Sequence, residues 1–355
     1  MVVGTIGKIK VVIIGASGTL GSKIYEHFSK NEKYKAYGTW CNQLRWGCRK
    51  YDITKCDKAL FWELTPDIII HAGGLTNVDY CETNPGETYK VNVKGTENLR
   101  ACCRFGANPA WTDELTTVLH TSRLVYISTD FVFNGAIGEF AEKYHPMFVS
   151  KKKVEEDSKK MDYSENDEPA PINFYGRTKF LSEKLIKNSG LEYLIARVSI
   201  LYSSNGKNFV NWAIDKLKRG EKFEAIIDHI GTPTLIDDIA VALEKLIEKN
   251  KTGIYHVAGF EGLSRYEMAL RIADVFGFGK QLIKPVKYLD SKMKDQQAAL
   301  RPKNTSLSTT KLKNGGILMS NFTEGLLKIE KQIEQRFKEE KKENEGRNIS
   351  RGTWD

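Results

Sequence analysis

The sequence predicts an α/β protein, a doubly wound parallel sheet with a smaller C-terminal part. Three observations predict it. Short apolar runs rich in β-branched residues alternate with longer amphipathic stretches, the pattern of parallel strands covered on both faces by helices. The first run passes directly into a glycine-spaced turn, Gly15-Ala16-Ser17-Gly18-Thr19-Leu20-Gly21. The 355 residues, 41% hydrophobic and 28% charged, suffice for one large core or two modest ones. That composition excludes a disordered, collagenous or disulfide-dense chain.

In chain order, strands are expected at Lys10–Gly15, Lys35–Trp40, Asp67–Ala72, Leu124–Thr129, Leu191–Arg197, Phe223–Ile227 and Ile254–Val257. Helical periodicity occupies Leu20–Ser29, Gly86–Arg104, Tyr175–Asn188, Phe209–Arg219, Ile236–Lys249 and Ser264–Phe276. Right-handed crossovers wind such units into one sheet. Residues 1–205 are expected to form the sheet domain, and 206–325 mainly a second part from which 234–258 returns to the sheet. Residues 326–355 read as a charged helix fraying into a mobile tail, with Trp354 its late aromatic. Ser150–Glu168 is nearly all charged or polar and reads as an exposed insertion, a tolerated surface loop in preference to a lid.

The net charge is +9, yet the lysines are interleaved with acids, as in Lys151-Lys152-Lys153-Val154-Glu155-Glu156-Asp157. Such runs are solvated faces, so no nucleic-acid partner is expected, although a mild positive bias suits phosphate ligands. Runs such as Val11–Ile14 and Ile68–Ile70 fall far short of the roughly 20 residues of a membrane helix. No cleavage site follows an apolar stretch near the N-terminus, so no signal peptide and a cytoplasmic location are expected. Six cysteines without a C-x-x-C pair read as reduced thiols. His71, His120, His145, His229 and His256 are scattered singly, so no metal is expected. Asp237-Asp238 reads as a pair of helix N-terminal acids, and Phe209 and Trp212, at helical spacing, read as core.

The glycine turn is a phosphate cradle by its chemistry. Gly15 permits the tight turn, Gly18 lets backbone approach a pyrophosphate, and Gly21 lets the helix pack against the sheet. Ser17, Thr19 and Leu20 belong to the same turn, whose N–H groups and helix dipole face an anion. A ribose-binding carboxylate belongs about 20 residues on. There the chain reads Gly38-Thr39-Trp40-Cys41-Asn42 with Arg45 after it; without an acid to repel a 2′-phosphate, NADP(H) is favoured and NAD(H) allowed. Asp52, followed by Ile53, is expected at the adenine edge.

Tyr175-Gly176-Arg177-Thr178-Lys179 sets a phenol and an ammonium one helical turn apart. The ammonium lowers the phenol's pKa toward the working range and can hold ribose hydroxyls. The buried run Val125–Asp130 ends in Ser128, Thr129 and an acid, at the strand end that lines the ligand crevice of a doubly wound sheet.

Together Gly15-x-x-Gly18-x-x-Gly21, Thr129 and Tyr175-x-x-x-Lys179 resemble the extended short-chain dehydrogenases. More narrowly the chain resembles the dTDP-4-dehydrorhamnose reductases. The segments that carry this are Tyr51-Asp52-Ile53-Thr54, Pro66-Asp67 to Asp79 and Glu82, Ser128-Thr129-Asp130-Phe131-Val132-Phe133-Asn134-Gly135, Gly206-Lys207-Asn208-Phe209, Gly231-Thr232-Pro233-Thr234 and Arg301–Leu307. They run in the family's order over roughly residues 9–325. The resemblance implies a Rossmann sheet and reduction of the C4 ketone of a nucleotide-linked 4-keto-6-deoxysugar. It implies Tyr175 as proton donor, Thr129 polarising the ketone, and Lys179 on the nicotinamide ribose. Ala72, Gly73, Gly74, Thr76, Asn92 and Ser128 would line the cofactor, and Asp130, Ile200, Asn208 and Phe209 the sugar nucleotide. A homodimer is allowed. Where the family shows Arg-Thr-Ser-Trp-Val-Tyr-Gly, this chain has Arg197-Val198-Ser199-Ile200-Leu201-Tyr202-Ser203, so Ile200 replaces a tryptophan beside the sugar. A regulatory subunit, like the related β subunit of methionine adenosyltransferase, and an epimerase or dehydratase on the same scaffold are the competing readings.

Overall fold

Alternate residues of the first strand, β1 (Ile9–Ile14), leave on opposite faces. Val11 and Ile13 enter one core, Val12 and Ile14 another. The computed structural model describes residues 7–105, 120–144, 149–291 and 299–351. After β1 come α1 (Thr19–Lys30), β2 (Tyr34–Trp40), β3 (Arg49–Lys50), β4 (Ile68–His71), α2 (Val78–Thr83), α3 (Gly95–Cys102) and β5 (Arg123–Thr129). Then follow α4 (Lys151–Ser158), α5 (Phe174–Lys187), β6 (Tyr193–Val198), β7 (Leu201–Tyr202), α6 (Phe209–Lys218) and β8 (Phe223–Ile226). The last are α7 (Ile236–Glu248), β9 (Gly253–His256), α8 (Arg265–Phe276), β10 (Ile283–Val286) and α9 (Phe322–Arg351).

Seven strands pair in the order β9-β6-β5-β4-β1-β2-β3, all parallel. The order reverses between β1 and β4, and that switch point opens a crevice at the strands' C-terminal ends. On one face α1 and α7 bury Ile24, Phe28, Ile239, Leu243 and Leu246. On the other, α3 and α5 bury Leu99, Cys102 and Ile186. A third cluster joins α6, α8 and α9 to the parallel pair β8–β10 through Val210, Phe223, Met268, Ile272, Phe322 and Leu326.

Several expectations need correction. β10 reads Ile-Lys-Pro-Val, and its proline hides an edge strand from the sequence pattern. Ser150–Glu168 lies largely at the surface, yet specific contacts order it. Ser150 caps α4, Lys153 and Lys160 pair with Asp157, and Tyr163 is 5% exposed. The Tyr163 ring stacks on Phe133 at 4.1 Å and its backbone bridges to Leu307. The charges neutralise one another while one aromatic side chain anchors the segment. The C-terminal helix begins at Phe322, buried with Leu326 and Ile329, and continues to Arg351. Trp354 with the end of the chain, and His145, lie outside the described residues. Among the described residues no helix is long and apolar enough to cross a membrane, and all six cysteines are free thiols.

Candidate active site

The glycine turn is packed so closely that side chains are excluded. Gly15 has φ +81°, and a Cβ there would lie 2.8 Å from Gly73 Cα; one on Gly21 would lie 2.1 Å from the Gly15 carbonyl oxygen. Gly18 precedes α1 in extended backbone with no side-chain cap. The positive end of α1 therefore faces the crevice without a protein anion on it. No carboxylate ends β2; Arg45 lies 5.3 Å over the Tyr25 ring and binds Glu26 at 3.2 Å.

A cleft of about 490 Å³ runs from this turn. Gly18, Thr19, Leu20, Gly21, Ala72, Gly73, Gly74 and Thr76 form one side, and Ser128, Thr129, Asp130, Tyr175, Lys179, Ile200 and Asn208 the other. Not every expected residue lines it. Asp52 folds back onto the Thr54 N–H and hydroxyl, at 2.9 and 2.7 Å. Ile53 packs beneath Gly95. Asn92, in a π-helical turn, holds the Leu75 N–H and carbonyl at 2.8 and 3.0 Å and the Thr178 hydroxyl at 3.1 Å, so it shapes the loop after β4.

Thr129 ends β5, and α5 starts from an Asn173 cap whose Oδ1 accepts the Gly176 N–H at 2.8 Å. Together they bring Tyr175 and Thr129 into the wall of the same cleft, with the Thr129 hydroxyl near enough to bear on the phenol's titration. Burial pushes the phenol's pKa up and the Thr129 hydroxyl opposes it. Lys179 does not do what its spacing suggests. Its ammonium donates to the Ile127 carbonyl at 2.6 Å and lies 4.0 Å from the Tyr126 ring centroid. The long lysine stem reaches the β5 strand, and the group that lowers the phenol's pKa is Thr129. Burial lowers the Lys179 pKa to about 7, with Glu183 opposing.

Asp130 is 4% exposed and accepts from Thr129 at 3.0 Å, Ser199 at 2.7 Å and Thr305 at 2.6 Å. Its carboxylate is a post bracing three segments, more than a free sugar ligand. Ser199 and Thr305 escaped the sequence reading; the one signal was that a buried acid demands donors. Ile200 sits at φ +38°, a strained conformation for a β-branched residue. Its side chain packs toward Gly231, where a Cβ would lie 2.8 Å from Ile200 Cδ1.

Lys207, Asn208 and Arg265 also line a second chamber of about 890 Å³, with Phe209, Trp212 and Phe223 in its wall. Asn208 caps α6 through the Asn211 N–H at 3.0 Å. The Arg265 guanidinium lies 5.0 Å over Phe209 and donates to Met268 Sδ at 3.3 Å. Trp212, 43% exposed, thus walls an open chamber instead of filling a core, while Phe209 lines the same chamber and packs against the third cluster. Helical spacing is the same in both situations. Among the described residues no His/Cys/Asp/Glu grouping could hold a metal.

Residues 9–334 match the RmlD substrate binding domain family. The chain belongs to that family. By that membership it is an NAD(P)-dependent oxidoreductase on an extended short-chain scaffold. Among relatives, methionine adenosyltransferase 2 subunit beta of Rattus norvegicus is 28% identical, over 87% of this chain and 83% of its own length. A dTDP-4-dehydrorhamnose reductase of Aggregatibacter actinomycetemcomitans is 27% identical over 90% and 98%. The crystal structure of dTDP-4-dehydrorhamnose reductase from Bacillus anthracis str. Ames in complex with NADP has a TM-score of 0.74 at 29% identity, covering 92% of this chain and all of that one. The bare backbone of the turn and the uncapped start of α1 fit the diphosphate of such a dinucleotide.

Proposed function

We propose that the protein reduces the C4 ketone of a nucleotide-linked 4-keto-6-deoxysugar, using NADP(H). The observation that carries this reading is the convergence of Tyr175 and Thr129 in the cleft the glycine turn opens. Bound reduced nicotinamide supplies a hydride to a carbonyl carbon. The chain's own groups handle the oxygen. Tyr175 is protonated at neutral pH, the form a proton donor needs, and burial raises its pKa further above the ordinary value. Thr129, braced by Asp130, orients the same oxygen and is the group that favours the phenolate that remains. Gly18 and Thr19 would hold the cofactor's diphosphate, and the missing acid after β2 favours the 2′-phosphate form.

The substrate's division into sugar, diphosphate and base suits the two connected chambers. The ketosugar would occupy the cleft against Ile200, and the diphosphate the seam at Arg265 and Lys207. The base would take the aromatic chamber at Phe209 and Trp212. The likeness to dTDP-4-dehydrorhamnose reductases supports a dTDP-linked sugar. The test is NADPH oxidation with a panel of dTDP- and UDP-4-keto-6-deoxyhexoses. Turnover with one of them supports the reading; none, from folded protein that binds NADPH, refutes it.

A second reading, a regulatory subunit, is favoured by the likeness to methionine adenosyltransferase 2 subunit beta. Stable capture of a synthetase together with absent turnover would select it over the reductase.

A further inference from the structure

Between β7 and α6 the chain reads Ser203-Ser204-Asn205-Gly206-Lys207-Asn208, with no apolar side chain to anchor it. Hydrogen bonds hold its shape instead. Ser203 donates to the Asn205 carbonyl at 2.7 Å, Asn208 to the Ser203 carbonyl at 3.0 Å, and Asn211 to the Gly206 carbonyl at 2.9 Å. Gly206 turns in the left-handed region at φ +75°. Its inner side faces the phosphate cradle. A Cβ on Gly206 would lie 3.8 Å from Thr19 at the start of α1, and Ser203, Lys207 and Asn208 share the cleft with Gly18 and Thr19. The loop therefore crosses the cleft at its diphosphate end.

From outside, one side chain grips this loop. Arg336 of α9 donates to the Ser204 carbonyl at 2.8 Å and to Asn205 Oδ1. Among the described residues Arg336 makes no ion pair, so both of these bonds go to the loop. It is also the last side chain of α9, among those described, that is not exposed; Phe337 next to it is 61% exposed. The residue lies just beyond the stretch matched by the family, which ends at 334.

We infer that Arg336 is a positioning residue for the dinucleotide site, strapping the 203–208 loop across the glycine turn so that the C-terminal helix and cofactor binding are coupled. The planar guanidinium suits the task. Two forked donors fix a carbonyl and an amide oxygen at once, which a single ammonium does less well. Coupling of this kind is reciprocal: a strap that favours the closed loop tightens the cofactor, and bound cofactor steadies the strap.

The experiment is a titration of the full chain with NADPH, read by cofactor fluorescence, alongside hydrogen exchange of α9. Arg336→Ala is expected to weaken NADPH by about three- to tenfold, mainly through faster release, with Arg336→Lys between it and wild type. Lys328→Ala is the control. It removes another contact of α9, to Asp238 at 2.8 Å and Ser320 at 2.7 Å, away from the loop, and should leave the affinity unchanged. NADPH should slow exchange around residues 333–339 in wild type and not in Arg336→Ala. Equal affinity in Arg336→Ala and wild type overturns the strap alone. An equal loss in Lys328→Ala also overturns it, since the effect would then belong to helix docking in general. Wild type that binds no NADPH overturns the cofactor site and the strap together.

Discussion

Glu183 on α5 and Arg197 on β6 close a two-pronged ion pair in the seam between helix and sheet, at 3.0 and 2.7 Å, with side chains 1% and 2% exposed. The Ser128 hydroxyl donates to the same carboxylate at 2.5 Å. The pair thus ties the helix carrying Tyr175 and Lys179 to the strand residue before Thr129. Removing one partner strands the other charge in a dry site. Glu183→Ala is expected to lose roughly 3–5 kcal/mol in urea unfolding. The apolar double variant Glu183→Leu/Arg197→Met should recover most of that loss. A single-variant loss below 1 kcal/mol, on the order of an exposed pair, would contradict the assignment.

Lys179 gives a pH dependence of definite sign. Its pKa is about 7 in the folded chain against 10.5 for the free side chain. Between these values the unfolded chain binds the extra proton, so this group makes stability rise with pH across that window and contributes no slope below it. Urea unfolding at pH 7 and pH 9.5 should show an increment in wild type that is missing from Lys179→Met. Parallel curves for the two proteins would mean that the ammonium is solvated.

Three histidines work in the acid range. Burial lowers His71 and His256 to about 3 and His229 to about 4, from 6.5. Their stability contribution is complete above pH 6.5 and is lost as pH falls toward those values, because the unfolded chain takes up the protons first. By pH 5 each is expected to cost roughly 2 kcal/mol. His229 stacks on Tyr288 at 4.5 Å, so His229→Phe keeps the ring contact and removes the titration. The variant should lose less Tm between pH 7 and pH 5 than wild type; an unchanged loss would place the His229 proton elsewhere.

Much of this was legible in the sequence, for local reasons. A parallel strand buried on both faces must be continuously apolar, which exposed β1, β4 and β5, and the glycine turn follows β1 without interruption. Tyr175 and Lys179 were visible as an i,i+4 pair and Thr129 as a strand end. What stayed hidden depends on distant partners. Nothing near Asp130 announces that Ser199 and Thr305 will donate to it. Nothing in the spacing of Phe209 and Trp212 tells a core from a chamber wall. The strain at Ile200 arises only where β6 hands over to β7 against Gly231. The spacing of Lys179 from Tyr175 does not show that a strand carbonyl one layer down takes its ammonium.

The most direct test of the central claim, that Tyr175 and Thr129 converge on a ketone being reduced, follows deuterium from C4-deuterated NADPH into a dTDP-4-keto-6-deoxyhexose. Wild type should place the label at C4 of the sugar. Tyr175→Phe should bind NADPH normally and transfer it about 10²- to 10⁴-fold more slowly. Label transfer by Tyr175→Phe at the wild-type rate would contradict the account.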